Sequence, residues 1–158
     1  MFRLGLVIAV AILAVDQISK YLLIGVMQEN RFQPIEITPF FNLVMVWNRG
    51  VSFGLFASDL EAMLWVLTVL AIGVSIGLLI WLYRAANRWL AIGLGLVIGG
   101  AIGNAVDRVV YGAVADFFDF HLAGVGHWPA FNIADSAIVV GVGFLLIDSL
   151  FADARSHK

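Results

Sequence analysis

The sequence predicts an all-α membrane protein with four transmembrane helices and a small external β-rich segment between helices 1 and 2. Hydrophobic residues make up 62% of the 158 residues and charged residues only 13%. The mean hydropathy of +0.99 excludes a soluble globular protein. Four long apolar runs carry almost no charge, and the stretch between the first two alternates like a strand.

The four runs are long enough to cross a bilayer. We expect one membrane-embedded domain over 1–158, with spans at about 4–26, 62–83, 89–110 and 131–150. The uncharged run 62–83 corresponds to about 33 Å of helix and the run 89–106 to about 27 Å, against about 30 Å of hydrocarbon. The first run starts like a cleavable signal peptide after Arg3, but its apolar pattern continues to Met27, which predicts a retained helix.

The segment 31–58 is predicted to form a small external sheet. Residues 35–38 alternate, residues 40–47 are aromatic or β-branched, and residues 48–50 read as a turn. Its aromatic side chains suit the headgroup layer of a membrane. A solvated connecting loop is the alternative, which the small number of charges disfavours. A second external segment is expected at about 112–130.

Lysine and arginine predict the orientation of the spans. One side of the membrane would hold five of them and the other side only Arg31 and Arg49. The five are Arg3, Arg84, Arg88, Arg155 and Lys158. The richer side is expected to be cytoplasmic, with both termini inside and the segments 28–60 and 112–130 outside.

Glycines recur every fourth residue in the third run, at Gly95, Gly99 and Gly103, and once in the second, at Gly73 and Gly77. Such stripes let helix backbones approach closely. Packing within one bundle is favoured over a dimer interface, so we expect a monomer.

Polar residues of three runs fall at one depth. Asp16 lies about 20 Å along the helix from Arg3, and Asp135 about 20 Å from Asp148. Asn104 lies about 24 Å from Arg88. Buried polar groups are costly in a membrane, so a layer of them in its outer third predicts a functional site.

Two of these runs carry charged groups on one helix face. Asp16 and Lys20 are spaced for an i,i+4 ion pair, which serves either a site or simple neutralisation of the two charges. Asn104, Asp107 and Arg108 also share a face. Arg108 either holds a carboxylate or substrate carbonyl, or extends to the headgroups.

Asp135 lies inside the fourth run with Asn132 on the same face and no basic residue nearby in sequence. The nearest upstream acids are Asp116 and Asp119. Two carboxylates in a poorly hydrated pocket share one proton, and such a pair activates water and protonates a leaving amine. This is the chemistry of an aspartic protease, although two acids alone are a weak signal.

Other kinds of site are disfavoured. His121 and His127 lack the HExxH spacing of a metalloprotease, the serines lack a GxSxG setting, and the chain has no cysteine. A net charge of −2 does not indicate the basic surface that nucleic-acid-binding proteins use. An ion-coupled carrier and a structural polar network are the remaining alternatives, but no polar path continues to the cytoplasmic side.

Five sequence blocks occur in order along nearly the whole chain. They are DQISK at 16–20, NRGVSFG at 48–54, GGAIGNAVDR at 99–108, VADF at 114–117 and FNIADS at 131–136. Together they resemble the lipoprotein signal peptidase family (signal peptidase II). The resemblance implies a bacterial inner-membrane aspartyl endopeptidase that removes the signal peptide of prolipoproteins N-terminal to a diacylglyceryl-modified cysteine.

The resemblance also implies roles for individual residues. Asp116 and Asp135 match the catalytic pair, which leaves Asp119 as a surface acid. Positions that order the pair or contact substrate and globomycin-type antibiotics are Asp16, Lys20, Asn48, Gly50, Asn104, Arg108 and Asn132. No metal or other cofactor is expected. Family members often have Ala-Ala where Val51-Ser52 stand, which affects the fit of the external segment and not the catalytic assignment.

Overall fold

Helices and a small sheet alternate along the chain. The computed structural model describes residues 1–50, 60–122 and 126–156. In chain order the elements are α1 (Phe2–Glu29), β1 (Ile35–Thr38), β2 (Phe41–Asn48), α2 (Leu60–Tyr83), α3 (Arg88–Tyr111), β3 (Val114–Leu122), β4 (Gly126–His127) and α4 (Ile133–Ser156). Four helices are long and apolar enough to cross a membrane. With the antiparallel sheet, they confirm the predicted fold class.

Helix α3 is the centre of the bundle, packed against α1, α2 and α4. Its glycine stripe faces α1: a Cβ added at Gly95 would lie 2.5 Å from the Gly5 carbonyl oxygen, and one at Gly99 2.6 Å from that of Ala9. Only glycine permits this approach of two backbones. The prediction of packing within the bundle is confirmed for α3. In α2, by contrast, a Cβ at Gly73 or Gly77 would meet no atom of the described residues within 4 Å.

Local signals explain where α3 begins and ends. The Asn87 side chain accepts a hydrogen bond from the Leu90 N–H at 2.9 Å and donates one to Asp148 of α4, also at 2.9 Å. Gly112, at φ +71°, ends the helix in the left-handed conformation and returns its N–H to the Arg108 carbonyl. The chain can then turn at once into β3.

The sheet is antiparallel in the order β1-β2-β3-β4. A bulge between Leu43 and Val46 adds one residue to β2 opposite β3. Beneath the sheet, Met27 of α1 packs with Ala115 and Phe117 of β3. The sheet therefore rests on the end of α1.

Half of this sheet comes from a segment in which the sequence predicted no strands. The predicted strands lie between α1 and α2, whereas β3 and β4 lie between α3 and α4. Phe117 and Phe118 in succession break the alternation that identifies a strand, because β3 is covered on both faces. Residues 51–58 of the first external segment and 123–125 of the second lie outside the described residues.

Strand β3 is tied directly to the start of α4. The N–H groups of Phe117 and Phe118 donate to the Phe131 carbonyl at 3.1 and 2.9 Å. Phe131 lies two residues before α4 begins. The side chains of β3 and of the first turn of α4 are thereby brought to one place.

Candidate active site

The two acids that the resemblance selects, Asp116 and Asp135, meet through Asn132. Asp116 lies on β3 and Asp135 in the first turn of α4. The Asn132 side-chain amide donates to Asp116 Oδ1 at 2.8 Å, and its backbone N–H donates to Asp135 Oδ2 at 3.3 Å. One residue therefore holds both carboxylates.

Asn132 can do this because it is the N-cap of α4. Its side-chain Oδ1 accepts the Asp135 N–H at 2.9 Å, while the Asp135 carboxylate accepts the Asn132 N–H. This reciprocal pair is a capping box, built here from asparagine and aspartate. The arrangement places the Asp135 side chain in the first turn of α4, directly beside its N-cap.

Neutral amides hold the other carboxylate oxygens. Asn48, at the end of β2, donates to Asp116 Oδ2 at 3.0 Å, and Asn104 of α3 donates to Asp135 Oδ1 at 2.8 Å. All four oxygens accept a hydrogen bond, so both carboxylates are oriented. Within the described residues, neither carboxylate forms a salt bridge with a lysine or arginine.

Burial and nearby charge change the proton affinity of the Asp116 carboxyl group. Asp116 is 1% exposed. Burial, together with the nearby Asp135 charge, raises the pKa of Asp116 to about 6 against the opposing effect of the hydrogen bonds from Asn48 and Asn132. The group thus retains its proton to a higher pH than an ordinary aspartate.

A buried ionic layer lies behind the two acids. Lys20 of α1 donates to Asp16 Oδ2 at 2.8 Å, contacts Asp107 Oδ2 at 2.7 Å and donates to Asn104 Oδ1 at 3.1 Å. Lys20 is 1% exposed and both acids are fully buried. The lysine therefore orients Asn104, which in turn holds Asp135.

The acids of this layer also bind backbone groups next to the pair. Asp16 Oδ1 accepts the Ala134 N–H at 2.9 Å, in the first turn of α4, and Asp107 Oδ2 accepts the Ala115 N–H at 3.1 Å, on β3. Gly103 makes room for Asp16, since a Cβ there would lie 2.6 Å from Asp16 Oδ2. Both elements that carry the pair are thus anchored to charged groups inside the bundle.

Asn48 and Gly50 form the open side of the site. Asn48 is exposed. Its Oδ1 accepts the Gly50 N–H at 2.8 Å, which leaves its amide group free to donate to Asp116. Gly50 has φ +76°, a conformation that favours glycine. The side chain of Asn48 is therefore aimed by the turn that follows it.

Arg108 bends back over its own helix. Its Nη1 donates to the Asn104 carbonyl at 3.3 Å. Its Nε is buried and has no hydrogen-bond partner among the described residues. The guanidinium group of Arg108 therefore lies beside Asn104.

The site contains residues that the sequence-based selection did not include. Asp107 has the central place described above, and Gln17 donates to both Asp16 and Asp107, at 3.2 and 2.9 Å. The available signal for both was their place in the sequence blocks DQISK and GGAIGNAVDR, and Asp107 also shares a helix face with Asn104. The prediction that Asp119 is a surface acid is wrong, because strand pairing with Asn42 and contact with His127 leave it 6% exposed.

Comparison with known proteins gives matches along nearly the whole chain. The family model described as Signal peptidase (SPase) II matches residues 8–151. A lipoprotein signal peptidase of Methylorubrum extorquens (strain PA1) is 48% identical over 94% of this chain and 86% of its own length. One of Nitrobacter hamburgensis is 49% identical over 93% of this chain and 92% of its own.

The fold agrees as well. A solved bacterial membrane enzyme superposes with a TM-score of 0.77 at 29% identity, over 98% of this chain and 91% of that one. The family model and the relatives both extend across the four helices and the polar site between them. This chain belongs to the signal peptidase II family of membrane peptidases.

Proposed function

We propose that the protein is an aspartic endopeptidase that cleaves diacylglyceryl-modified prolipoproteins on the N-terminal side of the lipidated cysteine. Its family supports signal-peptide removal from prolipoproteins. The observation that carries the aspartic mechanism is the sharing of Asn132 by Asp116 and Asp135, with the pKa of Asp116 raised to about 6.

The chemistry follows from one proton held between the two acids. Burial favours that proton on Asp116, so Asp135 is the base that removes a proton from the attacking water. Asp116 donates its proton to the carbonyl oxygen as the tetrahedral intermediate forms. The proton on Asp135 then passes to the leaving amine as the C–N bond breaks and the carbonyl re-forms, which returns a proton to Asp116.

The surrounding donors have a defined part in this sequence. Neutral amides fix the carboxylates without the charge of a lysine or arginine, which would lower the pKa of the acids and release the shared proton. The Nε of Arg108, which has no hydrogen-bond partner within residues 1–50, 60–122 and 126–156, is a donor for a carbonyl of the substrate backbone. Globomycin-type peptide antibiotics would bind beside Asp116 and Asp135 and use the same donors.

The arrangement in the membrane is part of this proposal. The termini would be cytoplasmic, and the site would face the outer side of a bacterial inner membrane. Exposed aromatic residues on and beside the sheet, such as Trp47, Phe40 and Trp128, suit contact with lipid headgroups. Two-thirds of the apolar window of α3 is buried within one chain, which supports a monomer.

The absence of natural cysteines makes the orientation directly testable. Gln33→Cys and Ala86→Cys each add one thiol at an exposed position, on opposite sides of α2 in the chain. A membrane-impermeant maleimide should label Gln33→Cys in intact spheroplasts and Ala86→Cys only after permeabilisation. Labelling of both from the same side would contradict the four-span orientation, and the cysteine-free parent measures the background.

The two acids should be separately essential. Asp116→Asn and Asp135→Asn preserve shape but remove proton transfer, so each should lower kcat by at least about a hundredfold. Cleavage of a lipidated precursor by purified protein measures this effect. Glu36→Gln, an acid-to-amide change at an exposed position of β1, is the matched control and should retain activity. A folded variant with wild-type kcat would remove that aspartate from the mechanism.

The pH profile should depend on Asn48. Since Asp116 must keep its proton and has its pKa raised to about 6, kcat/KM should fall as pH rises through that value. Asn48→Ala removes a donor that favours the charged form, so the falling limb should move to higher pH. Asn30→Ala, which loses an exposed amide, should leave the limb in place. A shift toward lower pH with Asn48→Ala would refute the assigned role of Asn48.

Lipid modification should determine the rate of cleavage. An acyl chain contributes about 0.8 kcal/mol per buried methylene, so two chains hold a cysteine at headgroup depth. A signal-peptide helix alone tilts and shifts. We expect the diacylglyceryl-modified precursor to be cut much faster than the same peptide with a free cysteine. Equal rates in one lipid preparation would indicate ordinary signal-peptide processing.

A further inference from the structure

A second polar cluster lies on the sheet, apart from Asp116 and Asp135. Asp119 and His121 lie on β3, and His127 lies on β4. One potential ligand atom from each residue falls within 4.8 Å of the other two. Alternation along β3 puts Asp119 and His121 on the opposite face from Asp116. The cluster is therefore separate from the proposed catalytic pair.

Strand geometry assembles the three side chains. His121 and His127 are directly opposite each other in the β3–β4 register, and their rings stack with centroids 5.0 Å apart. Asp119 is two residues before His121 and projects from the same face. On the other side, Asn42 of β2 pairs with Asp119 and donates to its carboxylate at 3.2 Å. The cluster is thus preorganised by the backbone.

Asp119 is a buried carboxylate whose neighbours within the cluster are two imidazole rings. Asp119 is 6% exposed. His127 Nδ1 lies 2.9 Å from each of its oxygens, and His121 Nδ1 lies 4.0 Å from Oδ2. Within the described residues, the carboxylate forms no salt bridge with a lysine or arginine. A buried carboxylate beside two imidazoles would gain from a divalent cation.

We propose that Asp119, His121 and His127 bind a transition-metal cation of the Zn²⁺ type. Bonds of about 2.0–2.2 Å in a tetrahedral site place ligand atoms roughly 3.3–3.6 Å apart. The present separations of 2.9 and 4.0 Å fall on either side of that range. The His121 and His127 side chains are 20% and 65% exposed, so the rings have room to adjust and the cation can enter from solvent.

The donor set decides the class of cation. Two imidazole nitrogens and one carboxylate oxygen suit Zn²⁺, Ni²⁺ or Cu²⁺, whereas Mg²⁺ and Ca²⁺ prefer oxygen donors. Water would complete the coordination, with Asn42 next to it. This ion is not proposed to generate a nucleophile, because Asp116 lies on the opposite face of β3 and Asp135 lies on α4.

The bound cation would fasten β4 to β3. Beside the cluster is an open groove of about 550 Å³ lined by His121, His127, Phe120, Trp128 and Phe131, among others. Phe131 directly precedes Asn132, the residue that holds both proposed catalytic acids. The cation would therefore stabilise one wall of this groove.

The test is Zn²⁺ titration of the full-length, chelator-treated protein in detergent, without a polyhistidine tag. Isothermal calorimetry should give one site per chain, and Co²⁺ should give the visible absorption bands of a four-coordinate nitrogen–oxygen site. His127→Ala and Asp119→Asn should each weaken binding by about tenfold or more. His157→Ala, a change of the one histidine outside the cluster, is the matched control and should bind as wild type.

Thermal unfolding gives an independent readout. Zn²⁺ should raise the Tm of the wild type and of Asp116→Asn, and leave that of His127→Ala unchanged. Because His127 is an exposed residue on a two-residue strand, His127→Ala should fold. Absence of saturable binding to the wild type, or equal affinity in His127→Ala, would overturn the proposal. Neither result depends on cleavage activity, because Asp116→Asn is expected to lose cleavage and still to bind Zn²⁺.

Discussion

The rest of the site depends on one interaction, the pairing of the buried Lys20 ammonium group with the carboxylates of Asp16 and Asp107. A lysine inside a membrane bundle is stable only when it is paired and hydrogen-bonded, and loss of one partner leaves an uncompensated charge. Here Asp16 and Asp107 are both within 2.8 Å of it. Because these partners come from α1 and α3, the lysine ties the two helices together at one depth.

The same two acids extend this constraint to the elements that carry the proposed catalytic pair. Each uses an oxygen to accept a backbone N–H, Asp16 from Ala134 and Asp107 from Ala115. The start of α4 and the start of β3 are thereby held against one ionic layer. The pair is positioned by backbone anchors as well as by side-chain contacts, which limits its freedom to move apart.

Charged and neutral groups therefore have different roles in this site. The charges needed to hold the helices are kept behind Asn104, and the groups that touch Asp116 and Asp135 directly are amides. A cation in direct contact would stabilise both carboxylates and lower their proton affinity. Amides orient the acids and still leave Asp116 with a pKa raised to about 6. This separation keeps the paired lysine of the bundle away from direct contact with Asp116 and Asp135.

The sequence by itself determined the class of protein, the four spans and the common level at which their polar residues lie. These follow from transfer energies and from a helix rise of about 1.5 Å per residue, which depend on local sequence alone. Asp16, Asn104 and Asp135 could be placed at one level for that reason. The motif blocks added the choice of Asp116 over Asp119, which the residues alone left open.

Only the tertiary structure decided which groups touch. That Asn132 holds both acids, that Lys20 reaches Asp107, and that Asp119 is buried all depend on contacts between distant segments. Strand β3 shows the reason most clearly. Its sequence has no clean alternation because both faces are covered, one of them by Met27 and its neighbours from a different part of the chain. The backbone groups of β3 find their hydrogen-bond partners in β2. That pairing exists only in the folded chain, so it cannot be read from the sequence of β3.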